Sequence, residues 1–353
     1  MATKRAAARQ KPEPENLLEE LPSWLGPPLD ALLGQDEKLH HGLLLAGVPG
    51  IGKGIFARHL AASLLCESEL ATRACGVCQS CKWMQQLGHP DLRVIMPEDQ
   101  DPLFVASGSK KPSREIRIDQ VRALASFMAV SSHRGGWRIV IIDPAEAMNS
   151  ITANGLLKTL EEPGPQTLII LSCGHADRLP ATIRSRCRLV PLASPPASEA
   201  IEWLLANGAE DKAAAHQALR AAGSPMHALQ FIEPTEQAAH QTILETLASL
   251  PDTGVMRAVD LLDRHDPKQW AGVLQRWVAD LARVRAGAQP HFYPDGQDRL
   301  IKLAALTDLG QLMQLQASIH SLDARIDHPL NARLICESAI HAYCRALSGR
   351  RTR

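Results

Sequence analysis

Two short stretches of the sequence carry residue types that could do chemistry. Cys75-x-x-Cys78-x-x-Cys81 places three thiols within two short turns, and Cys66 lies upstream with eight residues between. Four thiolates at this spacing suit a tetrahedral zinc ion and leave no open position for a catalytic water. Unligated thiols are the plainer alternative. His89 could replace one of the four, but "GHPD" is turn-like and reads as a surface histidine. The second stretch is "LLLAGVPGIGKGIFARHL", Leu43 to Leu60, in which Gly47, Gly50, Gly52 and Lys53 follow the pattern of a phosphate-cradling loop. Backbone amides and a helix N-terminus there favour a phosphate. Gly54, however, stands where a Ser or Thr hydroxyl would hold magnesium, and in a first helical turn it costs about 1 kcal/mol relative to Ala. Hydrolysis also needs a strand-end acid and a second carboxylate to orient water. Asp143 supplies the first at the end of "RIVIID"; Pro144 follows where the second would stand, and Glu146, three residues on, is expected to point elsewhere. Lys53 and Asp143 thus leave nucleotide binding without turnover open.

These residues need a scaffold. "HHGLLLAG" reads as a buried strand, "GKGIFARHLAASLL" as a helix, "DLRVIM" as a strand and "IDQVRALASFMAV" as a helix with Val121, Leu124, Ala125 and Met128 on one face. "WRIVIID" and "TLIILSC" are near-continuous apolar runs of the kind found inside a parallel sheet, with the helix "ITANGLLKTLEE" between them and the short strand "RCRLVPL" after. Alternating strands and helices imply a doubly wound α/β domain. Beyond Pro196 only helical patterns remain. One stripe holds Trp270, Val273, Leu274, Trp277, Val278 and Leu281; another holds Ile335, Cys336, Ile340, Tyr343 and Leu347. Both read as helical core, although a partner-binding face has the same pattern. Cys173, Cys187, Cys336 and Cys344 read as small apolar residues.

The bulk composition sets limits. The chain has 353 residues, 45% hydrophobic and 22% charged, enough for two or three cores. Lys and Arg together number 38 and so do Asp and Glu, so no overall field draws the protein onto nucleic acid or an anionic membrane. No apolar run is long enough for a membrane span, and the start of the chain lacks a signal peptide's apolar core. A cytoplasmic protein with a disordered tail at 1–16 is expected.

"NGLLKTLEEP" (Asn154 to Pro163), "LPATIRSRCRL" (Leu179 to Leu189), the four-cysteine insert and "GHPDLRVIMPE" resemble the clamp-loader subunits of the AAA+ superfamily, and within them the delta-prime family of bacterial DNA polymerase III. The resemblance spans about Leu17 to Leu192 through its motifs, and the remainder by architecture. It implies a RecA-like AAA+ domain at 17–189 carrying a zinc module at 66–81, a small helical lid at 190–234, and an all-α collar at 235–353. It further implies that Arg186, in Ser185-Arg186-Cys187, acts as an arginine finger in trans at a neighbouring subunit's ATP site. Such an arginine is worth on the order of 10³–10⁵ in rate. Cys173 and Gly174 stand where motor subunits carry a γ-phosphate-sensing Thr, and Met226 where they carry a sensor Arg. The implied role is a stator without ATPase activity of its own. Its partners would be tau/gamma-type motor subunits and a delta-type wrench subunit, and indirectly the sliding clamp and primed DNA. On the residues alone Arg186 reads equally as a strand-start arginine paired with a carboxylate. Two other functions stay open: an ATP-hydrolysing tau/gamma-type motor with unusual motifs, and a zinc-dependent nucleic-acid module. The last needs a basic, aromatic face, and "CGVCQSCKW" offers only Lys82 and Trp83.

Overall fold

The computed structural model describes residues 19–348, apart from 36–38, 69–71, 87, 102–103, 105–111, 130–131, 134–135 and 321–331. The tail expected at 1–16 lies outside the described residues. Residues 1–194 and 195–353 form two compact units.

The first unit is built on five parallel strands, β1 (Gly42–Ala46), β2 (Leu92–Ile95), β3 (Arg138–Ile142), β4 (Thr167–Cys173) and β5 (Arg188–Pro191), in the order β2-β3-β4-β1-β5. Every residue of β3 and β4 is buried. A strand covered by helices on both faces must be apolar throughout, which is why these segments show no polar alternation. The two-residue period survives as a choice of face. Leu43, Leu45, Ile139, Ile141, Leu168 and Ile170 pack against Phe56 and Leu60 of the helix Lys53–Leu64 and Leu29 of the helix Gly26–Leu33. Leu44, Val140, Ile142, Ile169 and Leu171 pack on the other face, against Leu124 of the helix Ile118–Ala129 and Leu156 and Leu160 of the helix Ser150–Glu161. The buried stripe of Ile118–Ala129 is narrower than its sequence suggests. Val121 and Leu124 are buried, Met128 sits at the margin and Ala125 faces outward, because only one side of this helix meets the sheet. Asn149 caps Ser150–Glu161, its side chain accepting from the Thr152 N–H at 2.9 Å. Pro163 stands just beyond the helix end.

The second unit is all helical among the described residues and holds two apolar clusters. The smaller joins Ile201, Leu204, Ala215, Ala218 and Ala228. The larger gathers both sequence stripes around Trp270, Trp277 and Tyr343. The Trp277 indole N–H donates to the buried Tyr343 hydroxyl at 2.8 Å, so its polar handle is satisfied. Asp280 is fully buried, and its carboxylate accepts from the backbone N–H groups of His291, Phe292 and Tyr293 at 2.7, 2.9 and 2.8 Å. That carboxylate pins the connection after the helix Pro267–Arg285.

His240, on the helix Pro234–Ser249, lies edge-on to Phe231, within 3.4 Å of the Tyr293 hydroxyl and in the field of Arg276. Burial first, and then the Arg276 charge, push its pKa from 6.5 down to about 4. The folded state therefore holds this imidazole neutral where the unfolded chain would protonate it. The stabilisation is complete above the unfolded pKa and fades as pH falls toward the folded value, by up to about 3 kcal/mol. Urea midpoints of the full chain at pH 7 and pH 4.5 should fall more for wild type than for His240→Gln. Equal falls in both would remove His240 as the cause.

Candidate functional site

The loop between β1 and the helix Lys53–Leu64 leaves the carboxyl edge of the sheet, where open α/β folds bind ligands. Gly50 and Gly52 take φ of 79° and 96°, conformations that favour glycine. Gly47 lies so near β5's end that an added Cβ would stand 2.4 Å from the Leu192 carbonyl oxygen. The Trp24 indole N–H donates to the Ile51 carbonyl at 2.9 Å and braces the loop from the N-terminal segment. Lys53 is buried, and its Nζ donates to the loop's own Gly47 and Val48 carbonyls at 2.9 and 3.0 Å. Burial lowers its pKa; Glu146, Asp143 and Cys173 pull the other way. In this chain the ammonium is held by carbonyls within the loop.

Asp143 and Gly54 fit each other sterically. A Cβ on Gly54 would lie 2.2 Å from Asp143 Oδ2, so the carboxylate fills the space a Ser or Thr side chain would need. Asp143 Oδ1 accepts from the Ser172 hydroxyl on β4. The structure thus brings together all five loop and strand-end residues singled out by sequence: Gly47, Gly50, Gly52, Lys53 and Asp143. It also corrects the expectation for Glu146. The short 3-10 turn Ala145–Ala147 carries Glu146 back toward the loop, where its Oε1 accepts from the Gly174 N–H at 2.6 Å. A three-residue turn rotates a side chain differently from a helix, and nothing in the local sequence distinguishes the two. Ser172 and Trp24 also escaped sequence reading; only the sheet register and the fold of the N-terminal segment bring them here.

The four cysteines converge as their spacing predicts. Their sulfurs all lie within 4.8 Å of one another, with Cys66–Cys78 and Cys75–Cys81 each at 3.9 Å. These separations are far beyond a disulfide bond and give four soft donors around one point, an arrangement that could hold a metal ion. Backbone N–H groups point at sulfur: Cys75 to Cys66, Cys78 to Cys75 across the turn at Gly76 (φ 75°), and Cys81 to Cys78, which caps the helix, each at 3.4 Å. The N–H groups of Val77 and Cys78 bring the Cys75 thiol down to about 6, whereas burial pushes Cys81 and Cys66 up.

His89 is not a surface residue. It is 3% exposed, accepts from the Asp91 N–H at Nδ1 (3.1 Å), and so carries its proton on Nε2, 3.1 Å from Ser80 Oγ. Ser80 in turn donates to Glu67 Oε1 at 3.0 Å. The histidine supports the cysteine helix Gln79–Gln85 from behind.

Arg186 stands apart from the loop, just before β5, with its side chain 35% exposed. Its guanidinium pairs with Glu161 at 2.6 Å and donates to the Thr182 carbonyl at 2.9 Å. The carboxylate pairing open from sequence is therefore present. A half-exposed pair of this kind contributes about 1 kcal/mol or less, so it holds the arginine loosely.

A glycine-rich loop running from a central parallel strand into a lysine-headed helix, with an acid at the end of a neighbouring strand, defines a P-loop α/β domain. The model of the family described as DNA polymerase III, delta subunit, matches residues 31–196. The DNA polymerase III subunit delta' of Pseudomonas aeruginosa is 40% identical over 198 residues, 56% of this chain and 57% of that one. The corresponding Escherichia coli subunit is 34% identical over 228 residues, 64% of this chain and 65% of that one. The E. coli tau subunit is 33% identical over 150 residues, 42% of this chain and 21% of that one. The chain thus spans less than two thirds of the length of either delta' relative. Over this region it resembles the delta' subunits of DNA polymerase III, as its motifs lead one to expect. No helix among the described residues is long and apolar enough to cross a membrane.

The Gly54–Asp143 fit decides the sign of a substitution. Gly54→Ala gains about 1 kcal/mol of helix propensity. It also forces Asp143 out of its seat, an overpacking cost of about 1–3 kcal/mol. Net destabilisation is expected in urea unfolding, and Asp143→Ala should relieve it. Additive effects in the double-mutant cycle would show that the two positions do not compete for space.

Proposed function

We propose that the chain is a delta'-type stator of the DNA polymerase III clamp loader, which helps to place the sliding clamp on primed DNA. It would neither hydrolyse ATP nor contact DNA extensively, consistent with its balanced charge. The observation that carries this reading is the Asp143 carboxylate seated where a magnesium-binding side chain would be, with Pro144 next in sequence. A site so built lacks both the hydroxyl ligand and the water-orienting acid. Arg186, surface-placed and loosely paired, would leave Glu161 for the terminal phosphate of a nucleotide bound by a neighbouring motor subunit. That phosphate carries more charge than one carboxylate and accepts a bidentate pair. Residues 235–353, helical among the described residues, would form the collar joining this chain to motor and wrench subunits, and 190–234 the lid. The tau likeness, with Lys53 and Asp143 both present, keeps the motor reading in play.

The two readings separate in ATP turnover by motor subunits, clamp and primed DNA. The chain alone should be silent. Replacing wild type by Arg186→Ala should lower stimulated turnover by about 10³-fold or more at the site it serves, with the complex still assembling. Turnover by the chain alone, or indifference to Arg186, would favour the motor.

The metal at the cysteines is proposed to be structural zinc. A tetrahedral site with Zn–S of about 2.3 Å has sulfurs about 3.8 Å apart, close to the 3.9 Å pairs here. Cys66, Cys75, Cys78 and Cys81 would hold the ion as thiolates, with the three N–H groups described above steadying them. Cys78→Ser should drop bound zinc from about one per chain and lower the melting temperature. A wild-type protein purified under reducing conditions without zinc would refute the assignment.

A further inference from the structure

Glu146 has no part in the stator role, yet its surroundings are specific. Its Oε1 takes the Gly174 N–H at 2.6 Å, at the end of β4. Its Oε2 is buried and has no hydrogen-bond partner among the described residues, a costly position for a carboxylate oxygen. Gly174 in turn faces the loop. A Cβ on it would stand 2.8 Å from Pro49 Cγ and 3.1 Å from Glu146 Oε1. Among the acidic groups acting on Lys53, Glu146 is the strongest, ahead of Asp143 and Cys173. The carboxylate therefore lies against a strand-end amide, beside Pro49 of the glycine-rich loop, and within the electrostatic reach of the loop's buried ammonium. An incoming oxyanion would meet that amide and that positive field, and a carboxylate is itself an acceptor-only oxyanion.

We infer that Glu146 is a built-in anion standing in for a phosphate at this loop, so that pyrophosphate or a nucleotide's polyphosphate chain must displace a carboxylate to enter. The loop is then a phosphate site filled from within the chain. This extends the loss of hydrolysis to a weakening of binding, and it holds whether or not Arg186 acts on a neighbour. The unpartnered Oε2 fits a group positioned for its charge rather than for a complete set of hydrogen bonds.

Calorimetric titration of the full chain with inorganic pyrophosphate, and separately with ADP, tests the idea. Wild type should bind only weakly. Glu146→Ala, which removes the like charge, should bind on the order of tenfold tighter or more. Glu146→Gln, which keeps the shape and loses the charge, should fall between. Adding Lys53→Ala to Glu146→Ala should abolish the gain. Wild-type binding as tight as that of Glu146→Ala would overturn the inference. So would a gain that survives loss of Lys53, or no gain in variants whose circular dichroism and metal content match wild type. Should Glu146→Ala not fold, Glu146→Gln decides alone: tighter binding supports the inference and unchanged binding overturns it.

Discussion

A buried ammonium and two carboxylates have to coexist at the carboxyl edge of the parallel sheet, and the arrangement around the loop follows from that constraint. Lys53 cannot be left bare at this depth, because isolated charge in a low-dielectric interior is costly. The chain meets the need with carbonyls of Gly47 and Val48 and with the fields of Glu146 and Asp143. Each carboxylate in turn has its own seat. Asp143 occupies the gap left by Gly54 and accepts from Ser172; Glu146 accepts from Gly174. The glycines at 54 and 174 are thus spatial requirements of the two acids. A residue that looks like a missing catalytic part is also a fitted packing partner.

The same economy governs the cysteine cluster. The four sulfurs also receive backbone donors, the N–H groups of Cys75, Cys78 and Cys81 reaching Cys66, Cys75 and Cys78. Behind the cage, His89, Ser80 and Glu67 form a chain of hydrogen bonds. They fix the first turn of the helix that carries Cys81. In the second unit Asp280 has a comparable part, a buried carboxylate satisfied by three backbone amides that holds a connection in place where apolar packing alone would not choose its path.

Arg186 is held only lightly by its own chain. Its pairing with Glu161 satisfies the simple reading of the sequence, and the exposure of both side chains, 35% and 48%, makes the pair weak enough to be exchanged. A buried pair would have tied the arginine to its own chain, because breaking it would leave an uncompensated charge.

The sequence by itself determined the sheet, the helical second half, the loop and the cysteine cage. Each rests on local periodicity or fixed spacing: five apolar residues in a row for β3, heptad-like stripes around Trp270 and Tyr343, and thiols three residues apart. It also carried the likeness to the delta' subunits, because motifs such as "NGLLKTLEEP" are contiguous. What only the tertiary structure decided were the contacts between distant segments. Glu146 turns back to Gly174 through a three-residue turn; Ser172 reaches Asp143 because β4 lies beside β3; Trp24 meets Ile51 across twenty-seven positions. His89, in a stretch that reads as a surface turn, is buried among Ser80, Trp83 and Asp91. The physical reason is common to all of them: spacing along the chain constrains the direction of a side chain, while burial and charge pairing depend on what the rest of the fold brings up against it.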